Sequence, residues 1–204
     1  AVSDPDVPVY VTIRHLAGNK RPTKLAYALI AANGAPVVEG QVAPGATVEV
    51  KARAKRAGTH ALLIQTTVGG GPWYSVKVHS HPFGIDVSKK AYFFRSLPSQ
   101  YVFVPVGTSS FFITCATGTR HEQMRVRVWD GQGKVVTDDV VGSADSAKRQ
   151  FAIHVPPDGA GCPWSFHVGE PADMPRQFYS ENYWVTVQGI PPYAADRPDR
   201  VLIP

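Results

Sequence analysis

Two arginines and a tryptophan alternate along one short stretch, and their side-chain chemistry suits a sugar ligand. Arg125, Arg127 and Trp129 are interleaved with apolar residues over Met124–Val128. Because successive side chains of a β-strand point to opposite faces, we expect one apolar face and one basic, aromatic face. Small-ligand sites pair aromatic surface with a few placed polar groups, and sugar rings stack on such surface. The stretch therefore predicts a ligand contact; the alternative is a tryptophan covered by its own chain.

Other aromatic residues extend this search. Trp73 and Tyr74 follow a Gly-Gly-Gly-Pro turn and form a second candidate ligand contact. Trp184 is open to the same two interpretations, a ligand contact or a covered interface residue. Trp164 shares an apolar strand face with Cys162 and Phe166. We therefore expect it in the core, where large aromatic residues bury most of their area.

The motifs of common catalytic sites are missing from the sequence. No Gly-x-Ser-x-Gly string is present for a serine hydrolase, and His121-Glu122 does not continue into the zinc-protease pattern. Asp138 and Asp139 are adjacent, and adjacent side chains of a strand point to opposite faces instead of flanking one cleft. We therefore predict a protein that is not an enzyme and has no catalytic residues.

Candidate metal ligands are few. His79 and His81 form a His-x-His pair that could hold a metal on one strand face, given a third ligand from elsewhere; the alternative is two polar residues at a strand end. Asp138, Asp139 and Asp145 could supply oxygen ligands to a structural calcium ion, against the alternative of solvated loop acids. No other cofactor is expected.

The two cysteines, Cys115 and Cys162, lie in no zinc-binding pattern. Cys115 shares an apolar strand face with Phe111, and Cys162 shares one with Trp164. Two interpretations are open: two inert buried thiols, or one disulfide between strands of the same domain in an oxidising compartment. We predict that the two sulfur atoms lie close together, as a disulfide requires.

The composition is typical of an all-β protein. The chain has 204 residues, of which 44 % are hydrophobic and only 18 % charged, with 18 glycines and 18 prolines. Short alternating segments are separated by Gly, Pro, Asn or Asp, and none keeps a helical period over ten residues. We therefore predict two antiparallel β-sandwiches in tandem, an immunoglobulin- or fibronectin-like one over residues 1–85 and a second one over residues 86–204, for which the resemblance given below implies a jelly-roll-like arrangement.

Several connections carry their own signals. Asp130-Gly131 with Gly133 predicts a hairpin after Trp129, and Asn33-Gly34 predicts another tight turn. The polar stretch Gly169–Glu181 is long for a connection and is therefore a candidate functional loop.

Positive charge is concentrated in the first half of the chain. Residues 1–90 hold 11 Lys and Arg against 5 Asp and Glu, whereas residues 91–204 hold 10 against 11. Lys51, Arg53 and Lys55 alternate with apolar residues, which predicts a basic face suited to an acidic polysaccharide or simply solvated. The basic residues match no nucleic-acid-binding motif, and no apolar run is long enough to span a membrane, so neither partner is expected.

The second half resembles a known class of module in the order of its strands and turns. Tyr101–Gly107 leads to Phe111–Thr114, then to Arg125–Val136, Pro163–Phe166 and Val187–Tyr193. This order resembles the jelly-roll, carbohydrate-binding-like accessory modules of secreted bacterial glycoside hydrolases. It is also similar to pre-peptidase C-terminal domains, which share the Asp-x-x-Gly-Lys hairpin. The first half resembles an immunoglobulin-like spacer.

The resemblance implies a non-catalytic accessory module of a larger protein, secreted or on the cell surface, with polysaccharide and neighbouring domains as partners. The start at Ala1 and the end in Val-Leu-Ile-Pro favour excision from a longer chain. The competing interpretation is a structural or protein–protein interaction module without glycan affinity.

Overall fold

The structure, a computed structural model, describes residues 7–16, 24–31, 33–55, 57–66, 73–94, 98–142, 146–170, 180 and 182–202. Within these ranges the regular elements are β-strands, apart from a short 3-10 turn at Pro198–Arg200. None of the described segments forms a helix long and apolar enough to cross a membrane. The all-β prediction is confirmed. The chain divides into two compact units, residues 1–82 and 83–204.

The first unit is a sandwich of two three-stranded antiparallel sheets, ordered β4-β1-β6 and β3-β2-β5. The buried side chains of both sheets, among them Ile13, Leu25 and Val50, are at most 6 % exposed and form its core. The antiparallel β-sandwich predicted for this half of the chain is therefore confirmed. Its strands are β1 (Val9–His15), β2 (Leu25–Ile30), β3 (Pro36–Val42), β4 (Thr47–Ala52), β5 (Ala61–Thr66) and β6 (Tyr74–Val78).

The second unit is an eight-stranded jelly roll. Its two four-stranded antiparallel sheets are ordered β13-β10-β15-β8 and β12-β11-β14-β9. From β8 to β15 the chain passes to the other sheet at every connection except the β11–β12 hairpin, which is the double Greek-key pattern of this fold. The eight strands are β8 (Ala91–Phe94), β9 (Gln100–Val104), β10 (Ser110–Thr117), β11 (Met124–Trp129), β12 (Val135–Val141), β13 (Lys148–His154), β14 (Cys162–Gly169) and β15 (Asn182–Gln188).

Two short pairings complete the second unit. β7 (Ile85–Asp86) pairs with β16 (Tyr193–Ala194), which places Ile85 with the jelly roll, one residue before the predicted domain start. Ala195 then meets Tyr101 of β9 in an antiparallel bridge. The Tyr101 amide donates to the Ala195 carbonyl at 2.7 Å, and the Ala195 amide donates to the Tyr101 carbonyl at 2.8 Å.

The core of the jelly roll lies between its two sheets and is centred on Trp164. The Trp164 ring is fully buried and meets Phe111 edge-on, with 5.7 Å between ring centroids. Its Nε1–H donates to the carbonyl oxygen of Gly159 at 2.7 Å, so the polar group of the indole is satisfied. The expectation of a core tryptophan at this position is confirmed.

The hairpin predicted after Trp129 is present, and its turn is held by one aspartate. The Asp130 carboxylate accepts hydrogen bonds from the backbone amides of Gln132 and Lys134, both at 2.9 Å. Gly133 has a φ of 81°, a conformation that glycine adopts without steric cost. The second predicted turn is also present, with Gly34 at a φ of 83°.

The predicted disulfide is wrong, because Cys115 and Cys162 are both free thiols. Cys115 is fully buried within β10, and Cys162 begins β14 in the other sheet. The Cys162 thiol lies against Gly131 and donates to the carbonyl oxygen of Gly159 at 3.4 Å. Both residues do contact the core. Alternation along a strand predicts which face a side chain occupies, but not which residue of the facing sheet lies opposite.

Candidate functional site

The alternation of β11 places Arg125, Arg127 and Trp129 on the outer surface of the β12-β11-β14-β9 sheet. The apolar side chains between them are at most 1 % exposed and point into the core. The three outward residues are each half-buried, so the Trp129 ring is neither sealed under its own chain nor fully open. We call this outer surface of the sheet the Trp129 face.

A second aromatic residue stands in line with Trp129 on the same face. Trp129 pairs with Ser165 of β14, and Ser165 pairs in turn with Tyr101 of β9. Neighbouring strands are about 4.8 Å apart, so the two aromatic residues are separated by roughly 10 Å with a hydroxyl between them. Sequence reasoning missed Tyr101 as a site residue, because nothing local to either strand predicts which strands become neighbours.

One carboxylate, Asp138 of β12, binds both arginines of the Trp129 face. Arg125 Nε donates to Asp138 Oδ1 at 2.5 Å, and its Nη2 donates to Oδ2 at 2.9 Å. Arg127 Nε donates to Oδ2 at 3.2 Å. The hydrogen bond from Arg125, together with that from Arg127 and both guanidinium charges, lowers the pKa of Asp138 despite its desolvation. One carboxylate therefore fixes the guanidinium groups of both arginines on this face.

His167 completes the polar part of the Trp129 face. It pairs with Arg127 across β14 and β11. Burial, and secondarily the charge of Arg127, lower the pKa of His167, because both disfavour an imidazolium at this position. Near pH 7 the ring is therefore neutral and offers one hydrogen-bond donor and one acceptor beside the guanidinium group.

The acidic residues considered for calcium do not converge on one point. Asp138 is bound by the two arginines, whereas Asp139 pairs with Arg149 of β13 at 2.6 Å, at the margin where the two sheets meet. Asp145 lies outside the described residues. The described part of the chain contains no group of three or more His, Cys, Asp or Glu side chains placed to hold a metal ion.

The histidines considered for metal binding make protein contacts instead. The His79 ring stacks on Tyr10 with 4.3 Å between centroids, and its Nε2 shares a hydrogen bond of 2.9 Å with the Thr12 hydroxyl. His81 Nε2 donates to the carbonyl oxygen of Val7 at 3.1 Å. Both histidines therefore tie the end of β6 to the start of the first unit.

The other sequence candidates lie in the first unit. Trp73 and Tyr74, at the start of β6, are 37 % and 43 % exposed. They belong to a different unit from Trp129. Lys51, Arg53 and Lys55 are all exposed, as their alternation predicted.

Of the loop considered as functional, residues 171–179 and 181 lie outside the described residues. The prediction that this loop carries function therefore stays a prediction, and the Trp129 face is defined without it.

Comparison with known proteins finds remote structural likenesses. No family model matches the chain, and no curated protein matches it. Among solved structures it is similar to a chain of the naturally occurring empty particles of cowpea mosaic virus, at 9 % identity and a TM-score of 0.31, over 96 % of this chain and 81 % of that one. It is also similar to a chain of infectious bursal disease virus, Gx strain, at 12 % identity and a TM-score of 0.26, over 92 % and 58 % of the two chains. Likenesses at this level carry no argument about what the chain does.

Proposed function

We propose that this chain is a non-catalytic accessory module of a larger secreted or cell-surface protein, and that its jelly roll binds a glycan on the Trp129 face. The row formed by Trp129, Ser165 and Tyr101 is the observation that supports this proposal most directly. It combines two aromatic side chains with a hydroxyl on a sheet surface, and aromatic residues with a few placed polar groups are what small-ligand sites generally contain.

Sugar rings present apolar C–H faces and polar edges, and the Trp129 face offers a partner for each. Trp129 and Tyr101 supply the stacking surface. The Ser165 hydroxyl, the neutral imidazole of His167 and the terminal N–H groups of Arg127 supply hydrogen bonds to the edges. Asp138 holds both arginines in position, so that little side-chain entropy remains to be lost when a ligand binds.

Trp129→Ala and Tyr101→Ala test the proposal by affinity electrophoresis in gels that contain neutral and acidic glycans. We expect one or more glycans to retard the wild-type protein and the retardation to fall in both variants. Ala195 bonds only the backbone of Tyr101, so this substitution leaves that bridge intact. Val106→Ala, at an 85 % exposed side chain of the same unit, is the control, and circular dichroism checks the fold of each variant. Equal retardation of wild type and both variants would contradict glycan binding at this face.

A second function, strand addition by a partner protein, is favoured by the surface of β12. This strand is at the edge of its sheet, and its Val135 and Val136 side chains are 47 % and 36 % exposed. Open edge strands with apolar side chains are templates for pairing with another chain. Val136→Lys should then abolish binding of a neighbouring domain without changing retardation by glycans, whereas Trp129→Ala should do the reverse.

A further inference from the structure

The opposite sheet of the jelly roll carries its own aromatic and basic surface. Trp184 of β15 pairs directly with Tyr92 of β8, so their Cβ atoms are about 5 Å apart on the outer surface of the β13-β10-β15-β8 sheet. Tyr92 is 70 % exposed, more than any other aromatic side chain in the described residues. An aromatic ring is thus held open to solvent beside a second, half-buried one.

Two lysines approach the same indole ring. Lys90 Nζ lies 4.8 Å from the centroid of the Trp184 ring, and Lys148 Nζ lies 5.9 Å from it. Attraction between each ammonium group and the ring face holds the two like charges near one another. Neither lysine is in an ion pair with any carboxylate of the described residues. We call Lys90, Tyr92, Lys148 and Trp184 the Trp184 cluster.

The rest of this sheet surface, as far as the structure describes it, is polar and carries no acidic side chain. Strand alternation and register place the following described residues of β10, β13 and β15 on it, all of them neutral or basic: Ser110, Phe112, Thr114, Ala116, Gln150, Ala152, His154, Thr186 and Gln188. Among the described residues, no acidic side chain on this face balances the positive charge of the Trp184 cluster. The Thr186 hydroxyl and the Gln150 amide, each two residues after a member of the cluster on the same strand, add hydrogen-bonding groups beside it.

We propose that the Trp184 cluster binds an acidic sugar unit of a polysaccharide, one that carries a carboxylate or a sulfate group. The open Tyr92 ring supplies a stacking surface for the sugar. Lys90 and Lys148 converge on the edge of that surface as two point charges, and an anion between them relieves their mutual repulsion. This charge complementarity selects an acidic glycan over a neutral one. The site is on the opposite sheet from the Trp129 face, so neither proposal depends on the other.

Two double variants of equal charge test the site. Lys90→Ala with Lys148→Ala removes both ammonium groups of the cluster. Lys89→Ala with Lys134→Ala removes two exposed lysines, and the described cation–π contacts of the Trp184 ring are made by Lys90 and Lys148 instead. Both variants leave the basic residues of the first unit unchanged, so their background attraction for polyanions is the same in each.

Affinity electrophoresis at one ionic strength would use polygalacturonate, dextran sulfate and unmodified dextran as carboxylated, sulfated and neutral polymers. We expect the cluster variant to bind the acidic polymer at least about tenfold more weakly than the wild type, as loss of charge-assisted contacts implies. The control variant should retain most of the binding. Tyr92→Ala should weaken binding as well, and Tyr92→Phe should not. The first two polymers identify which anionic group is recognised.

A second readout is specific for position. Bound oligosaccharide should protect Lys90 and Lys148 from acetylation, measured by mass spectrometry, while Lys89 and Lys134 stay reactive. Equal binding by the two double variants, or the same loss with single-stranded DNA as with the sugars, would overturn the proposal, because the attraction would then be general charge.

Discussion

At the scale of single residues, Asp138 fixes the positions of both arginines on the Trp129 face. Its carboxylate is 31 % exposed and takes hydrogen bonds from two arginines. Its pKa in the folded protein is therefore below the value of about 3.9 expected in the unfolded chain. A depressed pKa contributes stability that is present above the unfolded value and is lost as the pH falls through the folded value.

Asp138→Asn should accordingly lower the free energy of unfolding at pH 7 by about 1 kcal/mol or less, since solvent screens partly exposed ion pairs. The difference from wild type should shrink below about pH 4 and vanish once Asp138 is protonated in the folded state. Urea titrations between pH 2 and 7 measure this. Asp158→Asn, at an exposed carboxylate, should show no such trend. A difference that stays constant with pH would contradict the role given to the ion pairs.

The two thiols should differ sharply in reactivity. Burial raises the pKa of Cys115, so it forms little of the reactive thiolate in the native protein. Cys162 is half-buried at the start of β14. We expect iodoacetamide to modify Cys162 first in the native protein and to modify both after unfolding without reductant. A mass that shows two unmodified cysteines under the latter condition would instead indicate a disulfide.

At the scale of elements, two glycines separate the effect of backbone conformation from the effect of packing. Gly133, in the β11–β12 turn, and Gly142, just after β12, have φ values of 81° and 98°. A Cβ at Gly133 would meet open space, whereas one at Gly142 would collide with the backbone carbonyl of Glu122. Both substitutions strain φ, and only the second also forces the backbone apart.

Gly133→Ala should therefore cost about 1–2 kcal/mol of stability, and Gly142→Ala should cost clearly more, since it adds steric overlap that no side chain can relieve. Chemical denaturation of the two variants gives the comparison. Equal losses of stability in the two variants would mean that the backbone around Glu122 moves aside without a measurable penalty.

Local pattern predicted β11 well and its surroundings poorly. The alternation of Met124–Trp129 predicted the buried and outward faces, and Asp130 with Gly133 predicted the hairpin, because both signals are contained in a few consecutive residues. The same sequence did not show that Asp138 would sit between two arginines, or that Tyr101 would line up with Trp129. Those relations depend on strand register across the sheet. Lys90 and Lys148 were missed for the same reason, since they are 58 residues apart along the chain and meet only at the Trp184 ring.

At the scale of the whole molecule, each unit has its own sheets and its own core. β7 to β16 pair only among themselves, and the core around Trp164 draws on residues from Val87 to Ala194. Residues 83–204 contain enough chain to bury a core of independent stability.

Expressed alone, residues 83–204 should therefore unfold in one cooperative transition. Thermal unfolding followed at two wavelengths, in the far and near ultraviolet, should give the same midpoint. Non-coincident transitions, or the loss of the near-ultraviolet signal before heating, would contradict an autonomous jelly roll.

The bridge between Ala195 and Tyr101 has a consequence for colloidal behaviour. β9 is the last strand of its sheet, and an unpaired strand at that place can recruit the same strand of another molecule and start a fibre. The two backbone hydrogen bonds with Ala195 occupy the N–H donor and the carbonyl acceptor of Tyr101. The segment that follows β16 therefore prevents β9 from pairing with a strand of another molecule at this position. A protease that trims this segment would then make the protein prone to self-association before any change in its core.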